Sequence, residues 1–94
     1  MRFVAHVEIS LKPGLLDPQG AAVQGALPAL GWTNVGQVRV GKYVRLELES
    51  SDRDAAVAQV KEMAERLLSN PVIETFAIRD ISEQADAIIE GRPT

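Results

Sequence analysis

The amino-acid sequence predicts an α+β fold, a two-layer sandwich in which helices cover one face of an antiparallel sheet. Two segments show the alternation of apolar and polar residues that is typical of half-buried strands. Two others carry apolar residues at the spacing of one helix face, and turns containing proline, glycine or asparagine separate the segments. At 94 residues the chain is long enough for one small domain.

The first strand is predicted from Phe3 to Leu11, where apolar residues occupy the odd positions and polar residues the even ones from His6 onward. This alternation gives the strand one buried face and one solvated face. Pro13 and Gly14 end the strand, because proline supplies no N–H to a ladder and glycine adopts a positive φ without strain.

The first helix is predicted to begin after Asp17, whose carboxylate can cap it, with Pro18 at the first helical position. Pro28 cannot donate to the carbonyl of Gln24, so we expect a kink or a loosened last turn before Gly31. The predicted apolar face comprises Val23, Ala26, Leu27 and Leu30.

A second alternating segment spans residues 35–49, with Gly41 and Lys42 in its middle. A two-residue hairpin at these positions would turn Arg45 and Glu47 toward the core. A three-residue loop, or one long bent strand, keeps the apolar side chains on one face, and the sequence leaves these two alternatives open. The apolar residues are Val38, Val40, Val44, Leu46 and Leu48.

The second helix is predicted to begin at Ser51 or Asp52, either of which can serve as its cap. It ends at Asn70-Pro71, because the residue before a proline is disfavoured in the α region. The β-branched segment 72–81 is partly apolar on both faces, as in a central or intersubunit strand. The apolar stripe of the helix comprises Ala56, Val57, Val60, Met63, Ala64, Leu67 and Leu68.

The order of these elements predicts a ferredoxin-like βαβ(β)αβ domain over residues 1–81. With so small an aliphatic core, we expect the open sheet face or an exposed edge to be covered by another subunit. Residues 82–94 form a C-terminal tail, either a short docking helix through Ala85, Ile88 and Ile89 or a disordered segment.

The composition excludes several classes of function. A net charge of −3 has the wrong sign for a general nucleic-acid or anionic-membrane binder. The absence of cysteine excludes disulfides, thiolate zinc sites and a cysteine nucleophile. No apolar run approaches the ~20 residues that cross a bilayer. We therefore expect a cytoplasmic protein whose partners include neither nucleic acid nor a membrane.

No convincing catalytic, cofactor-binding or metal-binding residue is found in the sequence. His6 is the only histidine and has no triad partner or metal-ligand spacing, so it is interpreted as a surface residue. The segment 36–42 matches the start of a phosphate-binding loop, but Tyr43 stands where a serine or threonine is needed.

A small basic patch is the more informative feature, since it could meet an anion or an acidic partner surface. Its members are Lys12, Arg39, Lys42 and Arg45. Two hypotheses follow: a free-standing ferredoxin-like regulatory module that binds a small molecule, or an assembly subunit with no site of its own. The fold does not separate them, but an aliphatic core without a convergent polar cluster favours assembly.

Three stretches taken together resemble the PurS family: "LKPGLLDPQG" from Leu11, "VRVGKYVRLEL" from Val38 and "AERLLSNPVIE" from Ala64. This family provides the small subunit of phosphoribosylformylglycinamidine (FGAM) synthase in bacteria and archaea that build the enzyme from separate chains. The resemblance extends from about Phe3 to Ile81 with the elements in the same order.

The resemblance implies a role in de novo purine biosynthesis. In that enzyme a glutaminase subunit releases ammonia from glutamine, and a synthetase subunit uses ATP and magnesium to convert formylglycinamide ribonucleotide to the amidine. The small subunit is then a non-catalytic part of a carbon–nitrogen ligase. It binds no cofactor itself, forms a homodimer or homotetramer, and bridges the glutaminase and synthetase subunits.

The resemblance and the basic patch together indicate which residues contact the partner subunits. Turn formation and sheet packing are the alternative roles for Gly14, Asp17, Gly41 and Pro71. The predicted partner-binding residues are Lys12, Pro13, Gly14, Arg39, Gly41, Lys42, Asn70 and Pro71.

Overall fold

The structure is a computed structural model and describes residues 1–84. The predicted docking helix or disordered tail around Ala85, Ile88 and Ile89 lies outside the described residues. Within residues 1–84, three strands and two main helices alternate in the predicted order, which confirms the α+β class.

The sheet has three antiparallel strands in the order β2-β1-β3. These are β1 (Arg2–Leu11), β2 (Lys42–Glu49) and β3 (Glu74–Glu83). The register places Val7 opposite Val44 on one side and Ile78 on the other, so apolar side chains share one face, as the alternation predicts. The central strand is β1, so the interpretation of the last strand as a central one is wrong.

Helix α2 (Arg53–Met63) covers that apolar face over β1 and β3. The Asp52 carboxylate caps it by accepting from the Ala55 N–H at 2.8 Å, as the sequence predicts. Burying each large aliphatic or aromatic side chain contributes about 1.5–3 kcal/mol. The core residues are Phe3, Ala5, Val7, Ile9, Ala56, Val60, Ala64 and Ile81.

A π-helical turn, Ala64–Leu68, ends the second helix. The Ala64 carbonyl accepts from both the N–H of Ser69 (3.0 Å) and its hydroxyl (2.8 Å), which closes the wider turn. The extra residue in this turn places Leu68 against the core and leaves Leu67 81% exposed. The prediction that Leu67 belongs to the buried stripe is therefore wrong.

Helix α1 (Pro18–Ala26) begins as predicted, with the Asp17 carboxylate accepting from the Gly20 N–H at 2.9 Å. Pro28 ends the α-helical hydrogen bonding, and the chain continues as a 3₁₀ turn, Pro28–Leu30. Gly31 then adopts a φ of 105°, which closes the turn. The expected loosening at Pro28 is confirmed.

The predicted apolar face of α1 does not pack on the sheet. The main neighbour of α1 is the 3₁₀ turn that follows it, whereas α2 packs on β1 and β3. Val23 is 45% exposed and Leu30 69% exposed. Only one of the two helices therefore contributes to the core of the two-layer sandwich.

Within a single chain the middle segment forms no hairpin, and residues 32–41 form no regular element before β2 begins. The Val38 N–H donates to the Gln24 side-chain oxygen (3.1 Å), and the Val40 N–H donates to Asp17 Oδ2 (2.7 Å). The side chains of Asp17, which caps α1, and of Gln24, in its last turn, thus satisfy the donors that a sheet partner would otherwise take. The hairpin derived from the alternation is therefore wrong for this segment, and the long bent strand, whose first half would pair with another subunit, stays a prediction.

Among the helices of residues 1–84, none has the length and hydropathy needed to span a bilayer.

Candidate functional site

Three connections meet at one end of the sheet and form what we call the loop corner: residues 12–15, 39–42 and 69–74. The Lys12 N–H donates to the Ile73 carbonyl at 2.8 Å, which joins the first connection to the third. The Arg39 guanidinium donates to the carbonyls of Leu15 (2.8 Å) and Lys12 (3.3 Å), which joins the first to the second. The eight predicted partner-binding residues, far apart in sequence, are thereby brought together.

The Asn70-Pro71 turn is held by a local hydrogen-bond network. The Asn70 side-chain oxygen accepts from the Val72 N–H at 3.1 Å, and the Asn70 carbonyl accepts from the N–H groups of Ile73 (3.1 Å) and Glu74 (2.7 Å). The Asn70 N–H in turn donates to the Glu74 carboxylate at 2.7 Å. Pro71 is exposed at the tip, where it rigidifies the turn without needing a hydrogen-bond partner.

Two glycines fit the backbone of the loop corner. Gly14 has a φ of 87°, which the turn after Pro13 requires. Gly41 lies against β1, so that a Cβ added there would stand 2.5 Å from the Ile9 carbonyl oxygen. Packing is therefore a sufficient reason for glycine at position 41, whatever its role in partner binding.

The basic residues of the loop corner differ in how their charges are used. Arg39 is a structural connector between two loops. The Lys42 ammonium donates to the Leu68 carbonyl at 3.3 Å and lies 3.6 Å from the Glu74 carboxylate. Among the described residues, no carboxylate pairs with the Lys12 ammonium. The half-buried Lys12 thus differs from Lys42 in that no carboxylate among residues 1–84 neutralises its charge.

Exposed apolar side chains flank these cations, and the sequence reasoning missed them. Leu67 comes from the π-helical turn, Val72 from the Asn70-Pro71 turn, and Leu16 from the connection before α1; Leu16 and Val72 are 80% and 77% exposed. The position of Leu16 beside turn residues could have predicted its exposure. Nothing in the sequence indicates the π-helical turn that exposes Leu67. The loop corner therefore offers apolar contacts beside a positive charge, as protein-binding surfaces do.

Asp17 ties the loop corner to α1. Its carboxylate is buried, and accepts from the N–H groups of Gly20 and Val40. These two hydrogen bonds, in that order, hold the pKa of Asp17 below its ordinary value of 3.8, because they stabilise the charged form; the Arg39 charge adds to them.

This shift predicts a stability that depends on pH. Because the folded-state pKa is depressed, the Asp17 carboxylate stabilises the native state above its ordinary pKa, and this contribution is lost as the pH falls through the folded value. We expect Asp17→Asn to lower the thermal midpoint by several degrees near neutral pH. The difference in thermal midpoint between Asp17→Asn and the unsubstituted chain should narrow as the pH falls below the ordinary value of 3.8 and through the lower folded-state pKa of Asp17. If the difference in thermal midpoint stays constant over this pH range, the charge of the Asp17 carboxylate does not stabilise the contact between α1 and Val40.

The open sheet face carries polar side chains rather than an apolar patch. The rings of His6 and Tyr43 lie 5.8 Å apart at 13°, and His6 Nδ1 contacts the Tyr43 hydroxyl. Arg45 pairs with Glu47 at 3.0 Å, so it belongs to this face and not to the loop corner. No group of three potential metal-ligating side chains occurs in the part of the chain described. The segment 36–42 leads into β2 and not into a helix, unlike a phosphate-binding loop.

Comparisons with known proteins identify the family. The family model for PurS, phosphoribosylformylglycinamidine (FGAM) synthase, matches residues 4–82. The FGAM synthase subunit PurS of Bacillus subtilis is 54% identical over 74 residues, which cover 79% of this chain and 87% of the relative. The corresponding subunit of Synechocystis is 46% identical over 71 residues, 76% of this chain and 71% of the relative.

Solved structures agree with this assignment. Thermus thermophilus PurS superposes with a TM-score of 0.82 at 40% identity, covering 90% of this chain and all of that one. A structure of PurLQS from Thermotoga maritima contains a chain with a TM-score of 0.78 at 29% identity, covering 84% of this chain and 96% of that one. With the family model spanning most of the described residues, the chain belongs to the PurS family of FGAM synthase subunits.

Proposed function

We propose that this chain is the small, non-catalytic subunit of FGAM synthase and bridges a glutaminase subunit and a synthetase subunit. In this role it enables ammonia from glutamine to be used in the ATP-dependent conversion of formylglycinamide ribonucleotide to formylglycinamidine ribonucleotide. ATP and magnesium are used by the synthetase, not by this chain. The cytoplasmic location predicted from the sequence goes with this role and stays a prediction.

The observation that carries the proposal is the architecture of the loop corner. Three connections are fixed to one another by backbone and guanidinium hydrogen bonds, yet Val72 on one of them and Leu67 just before it are exposed, near the half-buried cation Lys12. A surface that is rigid before binding loses little conformational entropy when a partner docks. In the Thermotoga maritima neighbour the similar chain belongs to a structure of PurLQS, which supports a subunit role.

A bridging role also has a chemical reason. Ammonia released into water becomes protonated and ceases to be a nucleophile, so the glutaminase has to be held where its product enters the synthetase. An adaptor can fix this geometry without touching either substrate, and holding reactants in place lowers the entropic cost of their reaction.

Not all eight predicted residues contribute to docking in the same way. In this proposal Lys12 and Pro71 contact a partner directly, because Pro71 is exposed and the half-buried Lys12 has no carboxylate paired with its ammonium among residues 1–84. Arg39, Gly41, Lys42 and Asn70 shape the corner through the internal contacts described above.

The alternative, a free-standing regulatory module that binds a small molecule, has no observation in its favour. The relatives and solved structures described above are PurS proteins. We therefore retain the assembly role, with the chain forming a homodimer or homotetramer inside the complex.

The proposal is tested by assembling the purified chain with the glutaminase and synthetase subunits of the same organism and measuring the mass of the complex by light scattering. We expect a species that contains all three subunits, and no glutaminase–synthetase species when the chain is omitted. A glutaminase–synthetase complex of the same stability without the chain would overturn the bridging role.

A further inference from the structure

We propose that Ser69 is a positioning residue: its hydroxyl holds the Ala64–Leu68 turn in the π-helical form, and this form presents Leu67 to an apolar pocket of a partner subunit. The competing form is a regular α-helical turn, which draws Leu67 back toward the sheet. The inference rests on the proposed function, because Leu67 is one of the docking residues there.

The first observation is that the Ala64 carbonyl has two alternative sets of donors. In an α-helix it would accept from the N–H of Leu68, four residues along the chain. It accepts instead from the N–H of Ser69 at 3.0 Å and from the Ser69 hydroxyl at 2.8 Å. The hydroxyl hydrogen bond is made only when Ser69 occupies this fifth position, so it favours the π-helical form over the α-helical one.

The second observation is that the π-helical form has a cost. An α-helix turns by about 100° per residue, so a regular turn would place Leu67 about 60° around the helix from the buried Ala64, beside the core. The π-helical turn leaves Leu67 81% exposed instead. The burial given up is comparable to the net contribution of about two hydrogen bonds. Contacts made in the π-helical form have to offset this loss.

The third observation is that only a few contacts hold the turn. Besides the Ser69 hydroxyl, the Leu68 carbonyl accepts from the Lys42 ammonium at 3.3 Å, which fastens the turn to the start of β2. The Asn70 N–H donates to the Glu74 carboxylate at 2.7 Å, which fastens the following residue to the start of β3. These contacts offset the exposure of one leucine, so the two forms are close in free energy and a single hydrogen bond can decide between them.

The surroundings of Leu67 indicate the chemistry of the partner surface. Arg66 and Glu62 pair with each other at 2.9 Å, which neutralises the charges beside the leucine. Val72, on the neighbouring turn, is also exposed and apolar. An exposed leucine with these neighbours fits an apolar pocket, as the anchors of protein interfaces do. π-Helical turns are rare and occur frequently at functional sites, which agrees with a docking role.

The free chain allows a direct test, because it contains no cysteine. Leu67→Cys introduces a single thiol, and its rate of reaction with an aromatic disulfide reagent measures the exposure of residue 67. The rate is compared between the unsubstituted, Ser69→Ala and Ser69→Thr backgrounds. Ala58→Cys, on the exposed side of α2, reports any change that is not specific to the turn.

We expect Ser69→Ala to lower the rate at residue 67 at least about threefold, because the loss of one hydrogen bond changes the ratio of two forms by roughly fivefold. The rate at Ala58→Cys should not change, and Ser69→Thr, which keeps the hydroxyl, should restore the rate at residue 67. An unchanged rate at residue 67 in a folded Ser69→Ala chain overturns the proposal.

Lys42→Met is the second variant, for the case that Ser69→Ala does not fold. The Lys42 side chain is 57% exposed, so its replacement leaves the core intact while it removes the hydrogen bond to the Leu68 carbonyl. The rate at residue 67 should again fall. If Ser69→Ala does not fold and the rate in Lys42→Met is unchanged, the π-helical form is not held by these contacts and the proposal is overturned.

Binding to the partner subunits shows whether Ser69 acts through Leu67. We expect Ser69→Ala to weaken binding at least about threefold when Leu67 is present, because the affinity falls with the fraction of chains in the competent form. In the Leu67→Asp background the same substitution should have almost no effect. Ser82→Ala, which removes an exposed hydroxyl from β3, is the matched control and should bind normally.

Equal losses of affinity from Ser69→Ala in both backgrounds would contradict the positioning role, since Ser69 would then act on binding without Leu67. The thiol rates are measured without a partner subunit, so they test the turn separately from docking. Failure of either measurement leaves the bridging experiment unaffected, because that experiment omits the whole chain.

Discussion

Gly41→Ala is expected to lower the free energy of unfolding by about 1–3 kcal/mol, although it adds only one methyl group. The added Cβ would stand 2.5 Å from the Ile9 carbonyl oxygen, and this neighbour is backbone of the central strand, which cannot rotate away. Either β2 separates from β1 at its first pair, Ile9 with Lys42, or the segment before β2 shifts. Both changes also move the loop corner.

Gly36→Ala is the matched control for this prediction. Gly36 lies in the same irregular segment, residues 32–41, as Gly41. A Cβ added at Gly36 would meet no atom within 4 Å, and the φ of Gly36 is not positive. We expect this variant to leave stability within about 0.5 kcal/mol of the unsubstituted chain. Urea unfolding of the three proteins at one concentration gives the comparison, since self-association makes the midpoint depend on concentration. Equal midpoints for Gly41→Ala and Gly36→Ala would contradict the close approach of β1 and the glycine.

The second large effect concerns docking at the loop corner. Leu67→Asp is expected to weaken binding to at least one partner subunit by about 30-fold, because central apolar anchors of an interface contribute about 2 kcal/mol or more. Leu67 is 81% exposed in the free chain, so the thermal midpoint should hardly change. Ala58→Asp, which adds the same charge on the exposed side of α2, is the matched control and should bind normally.

Lys12→Glu separates the charge of the corner from its apolar contacts. Reversing an available surface cation should slow association and reverse or flatten the salt dependence of binding, with little effect on folding. The affinities of Leu67→Asp and Lys12→Glu for each partner subunit are measured by isothermal titration calorimetry at low and at high salt. If Leu67→Asp and Lys12→Glu bind like the Ala58→Asp control, the loop corner is not the docking surface.

The parts of the fold that rest on local chemistry could be predicted from the sequence. The alternation of β1 identifies its buried face because a strand has a period of two wherever it lies. Asp17, Asp52 and Pro28 act on the few residues beside them, so their effects on the helix ends did not depend on the rest of the chain. The eight predicted site residues also converge at one corner, because turns between antiparallel strands gather at the ends of a sheet.

The features that the sequence analysis missed depend on contacts between distant residues. Leu67 has the spacing of a core residue, but the π-helical turn closed by Ser69 rotates it to the surface. Val38 continues the alternation of β2, yet its N–H is taken by the Gln24 side chain. The apolar face of α1 was recognised, but its spacing carries no information about whether the surface that covers it belongs to the same chain.

The central claim is that this chain couples ammonia release to its use, and the most direct test measures amidine formation by the matching glutaminase and synthetase with either glutamine or ammonium as nitrogen source. With the chain omitted, we expect the glutamine-driven rate to fall at least about tenfold, because the two active sites are no longer held together. The ammonium-driven rate should change much less, since ammonium needs no docked glutaminase. If omission leaves the glutamine-driven rate unchanged, or lowers both rates equally, the adaptor account is contradicted.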